Sequence, residues 1–167
     1  EKINDLRAID EKFERLINSF DLDVEKIRNK KIEFLYDNFL MKNEITMIVA
    51  RPGIGKSLLS MALCNMLLST ETIDRIIYLD GDNSETTVKQ RNIHLIKEKF
   101  GNRLNYIIEL RSKDFFNIIF ELRKRNLNNL LIVFDSIKNF VIGDRNSHKD
   151  VTELMKAGNS GLGTLFT

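Results

Sequence analysis

The chain of 167 residues carries a net charge of +2, with 43% hydrophobic and 30% charged residues, the make-up of one ordinary globular domain. So small a charge does not by itself imply nucleic acid, and the single cysteine, Cys64, excludes an intrachain disulfide. There are no Cys/His clusters at metal-ligand spacing, no apolar run long enough for a bilayer and no signal-peptide pattern, so the expectation is a cytoplasmic protein with no membrane partner.

Residues 1–20 predict an amphipathic helix, because Ile3, Leu6, Ile9, Phe13, Leu16, Ile17 and Phe20 recur at helical spacing between charged residues. That stripe has two possible destinations, its own sheet or an adjacent subunit. A second short helix is expected over 23–31, and the aromatic-rich stretch 32–40 reads as irregular. The chain thus divides into an N-terminal helical extension, 1–31, and a larger domain, 32–167. From 45–49, a short β-branched run, the pattern becomes a regular alternation. Residues 57–68 are almost continuously apolar and too long for a typical strand, so they predict a buried helix with Cys64 in the core. A strand is expected at 75–79, then one helix over 84–100, capped by Asn83 or Ser84 and stopped at Gly101. A strand at 104–108, a helix from Ser112 to about residue 125 and a long apolar strand at 130–134 follow. Ser147 and Asp150 resemble a capping box and predict a further helix start. Strands alternating with helices imply an α/β fold, a mostly parallel sheet flanked by helices.

Between the first strand of that series and its helix lies ARPGIGKS, residues 50–57. It fits the phosphate-loop pattern G-x-x-x-x-G-K-[ST], with Ala50 in the first glycine position, and the strand-loop-helix context is the one the motif requires. The chemistry accounts for each residue type. Gly53 and Gly55 permit backbone conformations that turn successive N–H groups toward one anion, and the helix N-terminus adds partial positive charge. Lys56 supplies a mobile charge for the β- and γ-phosphates, the Ser57 hydroxyl suits Mg²⁺, and Pro52 stiffens the loop. Ala50, Arg51, Pro52, Gly53, Ile54, Gly55, Lys56, Ser57 and Leu58 form the candidate nucleotide-binding segment, with ATP and Mg²⁺ as expected ligands.

Two strand ends supply acids. LLIVFD, residues 130–135, is an apolar strand ending in Asp135, which the sheet carries to its carboxyl edge, where Asp135 is expected to hold Mg²⁺ opposite Ser57. LDGDN, residues 79–83, offers Asp82 or Asp80 to polarise an attacking water, or else is a solvated turn. Lys56, Asp82 and Asp135 are therefore the candidate catalytic residues, and Ser57 and Asp135 the candidate metal ligands. Arg91 follows the LDGDN loop and is expected to pair with an acid or face a neighbour. His94 reads as a surface or half-buried helix residue, His148 as part of a polar loop, and Arg123, Lys124 and Arg125 as a solvated helix end.

With these motifs the chain resembles the RecA-like ATPases, and among them the hexameric helicase group that includes the RepA and DnaB types. The resemblance lies in FLMKNEITMIVARPGIGKSLLSMAL (39–63), in LDGDNSETTVKQR (79–91), in the pair Asp135-Ser136 and in GDRNS (143–147). It spans residues 32 to 155. The family's water-orienting acid is usually Glu, whereas Asp82 stands here. What the resemblance implies is ATP hydrolysis, a ring of identical subunits with sites at their interfaces, and work on single-stranded DNA in replication or recombination. It also implies a strand inserted between the phosphate-loop strand and the strand of Asp135. Two sources for that strand are open: residues 164–167, in a domain incomplete at its C-terminal end, or a stretch absent between Met155 and Gly163. Two other functions compete, a P-loop kinase or transferase and a nucleotide-gated binding protein of low turnover. The regular helices, without an arginine-rich lid-like insertion, disfavour the kinase.

Overall fold

A computed structural model describes residues 2–110, 112–124, 129–136 and 163–166. The chain divides into two compact units, Glu1–Ile32 and Glu33–Thr167. In the first, α1 (Lys2–Phe20) matches the helical periodicity, and α2 (Val24–Arg28) is shorter than the expected 23–31. Asp23 caps α2 by accepting the Lys26 N–H at 2.9 Å. Of the stripe of α1, Phe13, Leu16, Ile17 and Phe20 are exposed. Among the described residues, no helix is long and apolar enough to cross a membrane.

The second unit opens with a correction. Residues 32–40 are not irregular: β1 (Phe34–Tyr36) pairs antiparallel with β2 (Leu40–Met41). The pairing buries Leu35 and Leu40 and leaves Phe34 and Tyr36 outside, a pattern too short to register as strand periodicity. Next come β3 (Ile45–Met47), α3 (Lys56–Ser69), β4 (Arg75–Asp80), α4 (Glu85–Gln90), α5 (Ile93–Phe100), β5 (Leu104–Ile108), α6 (Ser112–Arg123), β6 (Leu130–Asp135) and β7 (Gly163–Phe166).

The expected single helix over 84–100 is two helices. Asn92 takes φ 55° at the joint, a left-handed conformation that asparagine tolerates better than most residues. An unbroken helix would carry Arg91, Asn92 and Leu95 onto the face of Val88. The joint shifts the phase, so Ile93, Ile96 and Phe100 join the core while Leu95 stays exposed.

Strands β3, β7, β6, β4 and β5 form one parallel sheet in that order. Alternation along the strands sorts two cores. Ile76, Tyr78, Leu104, Leu131 and Val133 pack with Cys64, Leu67 and Leu68 of α3 and Ile93 of α5. Ile77, Leu79, Leu130, Ile132 and Phe134 pack with Phe115 and Ile119 of α6. Each fully buried aliphatic or aromatic side chain contributes about 1.5–3 kcal/mol, which outweighs any local preference in these short strands. Cys64 is buried, and that burial pushes its thiol pKa up.

Strand β7 lies between β3 and β6, pairing Thr164 with Ile45 on one side and Ile132 on the other. It uses the residues named as one of the two expected sources. The other, an absent stretch between Met155 and Gly163, falls largely outside the described residues, as do the helix expected near Ser147 and the histidine at 148.

Candidate functional site

The carboxyl ends of β3, β4 and β6 reach one edge of the sheet, and the loop after β3 turns there into α3. Gly53 has φ 80° and Gly55 φ 101°, and a Cβ at either would meet no atom within 4 Å. The two glycines are thus required by backbone conformation rather than by space. Gly55 caps α3 without any side-chain hydrogen bond, so the first turn of this 14-residue helix presents N–H groups toward the loop. Lys56 folds back over the loop and donates from Nζ to the Ala50 carbonyl at 3.2 Å.

A cavity of about 560 Å³ opens at this edge. Its walls bring together Ala50, Pro52, Gly53, Gly55, Lys56, Ser57 and Leu58 of the loop with Asp82, Asn83, Arg91, Asp135 and Ser136. Two expected loop residues are not among the residues lining it: Arg51 is exposed, and Ile54 is 68% exposed. Their side chains leave the loop because its glycine turns direct backbone, not side chains, inward.

The acids divide by burial. Asp80 and Asp135 end adjacent strands as register partners, and both are buried. Asp80 Oδ1 accepts the backbone N–H groups of Asp82 at 3.0 Å and Asn83 at 2.9 Å, while its Oδ2 accepts Asn83 Nδ2 at 2.7 Å and the Tyr106 hydroxyl. With four donors on one carboxylate, Asp80 folds the turn and does not line the cavity. Asp82, two residues on, is exposed and does line it. Of the two acids that the sequence left open, Asp82 is the one that lines the cavity. The backbone also ties these strand ends, Gly81 N–H donating to the Asp135 carbonyl at 2.6 Å.

Asp135 lines the cavity and accepts the Tyr78 hydroxyl on Oδ2 at 2.7 Å. Tyr78 and Tyr106 are stacked, with centroids 4.8 Å apart and planes 20° apart. Burial foremost, then the neighbouring carboxylates, raises the pKa of both phenols, so each stays a protonated donor. Sequence reasoning missed these tyrosines. Tyr78 stands two residues before Asp80 and so shares its strand face, a visible signal, but only strand register shows that Tyr106 lies opposite Tyr78. His94 is half-buried on α5, as expected, with no hydrogen-bond partner for its buried Nδ1. Lys124 pairs with Glu121 at 2.8 Å on the exposed end of α6.

Chemically, the loop N–H groups, Lys56 and Arg91 are donors of the kind that suit an anion, and they line one cavity. Ser57 Oγ and the Asp135 carboxylate are hard oxygen donors of the kind that suit a small divalent cation. No protein-family model matches the chain, and no curated protein matches it either. The class defined by fold and site is a parallel α/β domain with a glycine-containing loop before α3 and two strand-end acids at one sheet edge.

Proposed function

We propose that this domain binds ATP with Mg²⁺ and hydrolyses it, as the motor core of a RecA-like ATPase of the RepA/DnaB helicase type. The observation that carries the reading is that the glycine loop, Lys56, Ser57, Asp82, Arg91 and Asp135 line a common cavity. Among them three needs of phosphoryl transfer to water are met. The loop N–H groups and Lys56 hold the phosphates, Ser57 and Asp135 hold the cation, and Asp82 orients the water. Bound Mg²⁺ would neutralise charge developing on the phosphates. The position of β7 between β3 and β6 is the strand order that the resemblance implies, and it supports the RecA-like reading of the sheet. The ring, the interface sites and single-stranded DNA are supported by the resemblance of residues 39–63 and 79–91.

A second reading, nucleotide-gated binding with low turnover, is favoured by one observation: Asp82, the acid assigned to the water, is an exposed aspartate, one methylene shorter than the glutamate usual in the family. An ATPase assay with and without single-stranded DNA, at two protein concentrations, separates the readings. The motor reading expects turnover that rises with DNA and with protein concentration. Nucleotide binding with turnover indifferent to both would replace it with the second reading.

A further inference from the structure

One diagonal contact occurs twice across three adjacent strands. In the parallel register Tyr106 of β5 stands opposite Tyr78 of β4, and Tyr78 stands opposite Val133 of β6. Tyr106 donates its hydroxyl to Asp80, two residues beyond its partner on β4. Tyr78 donates to Asp135, two residues beyond its partner on β6. Each tyrosine thus reaches one strand over and one step toward the carboxyl edge. The two rings are stacked, with centroids 4.8 Å apart. The two acids they reach have different tasks: Asp135 lines the cavity, whereas Asp80 folds the turn that carries Asp82 to it.

We propose that Tyr78 is a positioning residue for Asp135, its hydroxyl holding the carboxylate in the orientation that meets the cation of a bound metal–nucleotide complex, while Tyr106 steadies the turn through Asp80. The inference rests on the nucleotide reading of the cavity. Its physical basis is that a carboxylate at a strand end rotates about its terminal bond unless something fixes it. A buried phenol 2.7 Å from one oxygen removes that freedom. The ring sits in the sheet core with 1% exposure and has little room to move.

The test compares Tyr78→Phe, Tyr106→Phe and the parent protein, each lacking only an oxygen where it differs. A fluorescent ATP analogue is bound first without Mg²⁺ and then over a Mg²⁺ titration, with no turnover measured. Tyr78→Phe should keep the Mg²⁺-free affinity, which shows the loop intact, and raise the Mg²⁺ midpoint about tenfold, the low end of the effect of removing a partner of a metal-binding side chain. Tyr106→Phe should leave that midpoint within about twofold, because Asp80 stands off the cavity. A Tyr78→Phe midpoint equal to the parent's would overturn the inference and leave the nucleotide reading standing. Equal rises in both variants would overturn it too, as a general loosening of the sheet. A parent protein that binds the analogue without any Mg²⁺ dependence, or not at all, would overturn the nucleotide reading and this inference with it.

Discussion

Replacing Asp80 with alanine separates a fold-bearing acid from a chemical one. The substitution leaves four donors without their acceptor: the N–H groups of Asp82 and Asn83, Asn83 Nδ2 and the Tyr106 hydroxyl. A hydrogen bond lost to a charged, buried group costs about 1 kcal/mol or more in net stability. Water can reach some of the loop donors once the side chain is gone, so about 3 kcal/mol is the working figure. In a domain of this size 1 kcal/mol moves Tm by about 2–4 °C, so Asp80→Ala should lower it by about 6–12 °C. Asp82→Ala, at an exposed position, should move it by less than about 2 °C. Circular dichroism melts of the three proteins measure this directly. If Asp80→Ala melts within about 2 °C of the parent, the carboxylate does not organise the turn. If Asp82→Ala is equally destabilising, the division of the two acids is wrong.

Lys56→Ala should weaken ATP binding by at least about tenfold, because it deletes the one loop cation that lines the cavity; an unchanged Kd by calorimetry would remove the loop from nucleotide binding. Asp135→Asn should weaken Mg²⁺-dependent binding, whereas Asp82→Asn should leave binding largely intact and lower turnover by about 100-fold or more. Equal losses of affinity in the two would end that assignment. Gly55→Ala meets no atom within 4 Å but imposes φ 101° on an L-residue, so it should cost about 1–3 kcal/mol of strain or a rearranged loop. A melt and an ATP affinity both matching the parent's would show that the turn is not held as described.

The parallel α/β architecture was legible because its signals are local. Strands β4 and β6 each carry an apolar run that ends in Asp, and α3 is largely apolar for longer than a strand extends. The loop motif was legible because three residue types at fixed spacing carry its chemistry. The hairpin of β1 and β2 was not, since strands of 3 and 2 residues show no period and are made by pairing alone. The joint at Asn92 was not, because Val88, Leu95 and Phe100 are all compatible with one helix until the sheet selects which face is buried. The roles of Asp80 and Asp82 differ for the same reason. Both are turn-forming acids in LDGDN, and only the last register position of β4, beside Asp135, buries the first and releases the second.

The inserted strand has a consequence beyond hydrogen bonding. Neighbouring strands lie about 4.8 Å apart, so with β7 between them β3 and β6 are separated by roughly 10 Å. Were β3 and β6 direct partners, the glycine loop would leave the sheet one strand from Asp135, and the loop and the acid would crowd the same space. With β7 in place both line the cavity of about 560 Å³. On the proposed reading, that width is what lets a phosphate group and a hydrated cation sit between an anion-binding loop and a carboxylate. Strand β7 thus satisfies the backbone groups of both neighbours, which a buried sheet requires. It also sets the distance between the two halves of the site without contributing any of the acids or cations assigned to it.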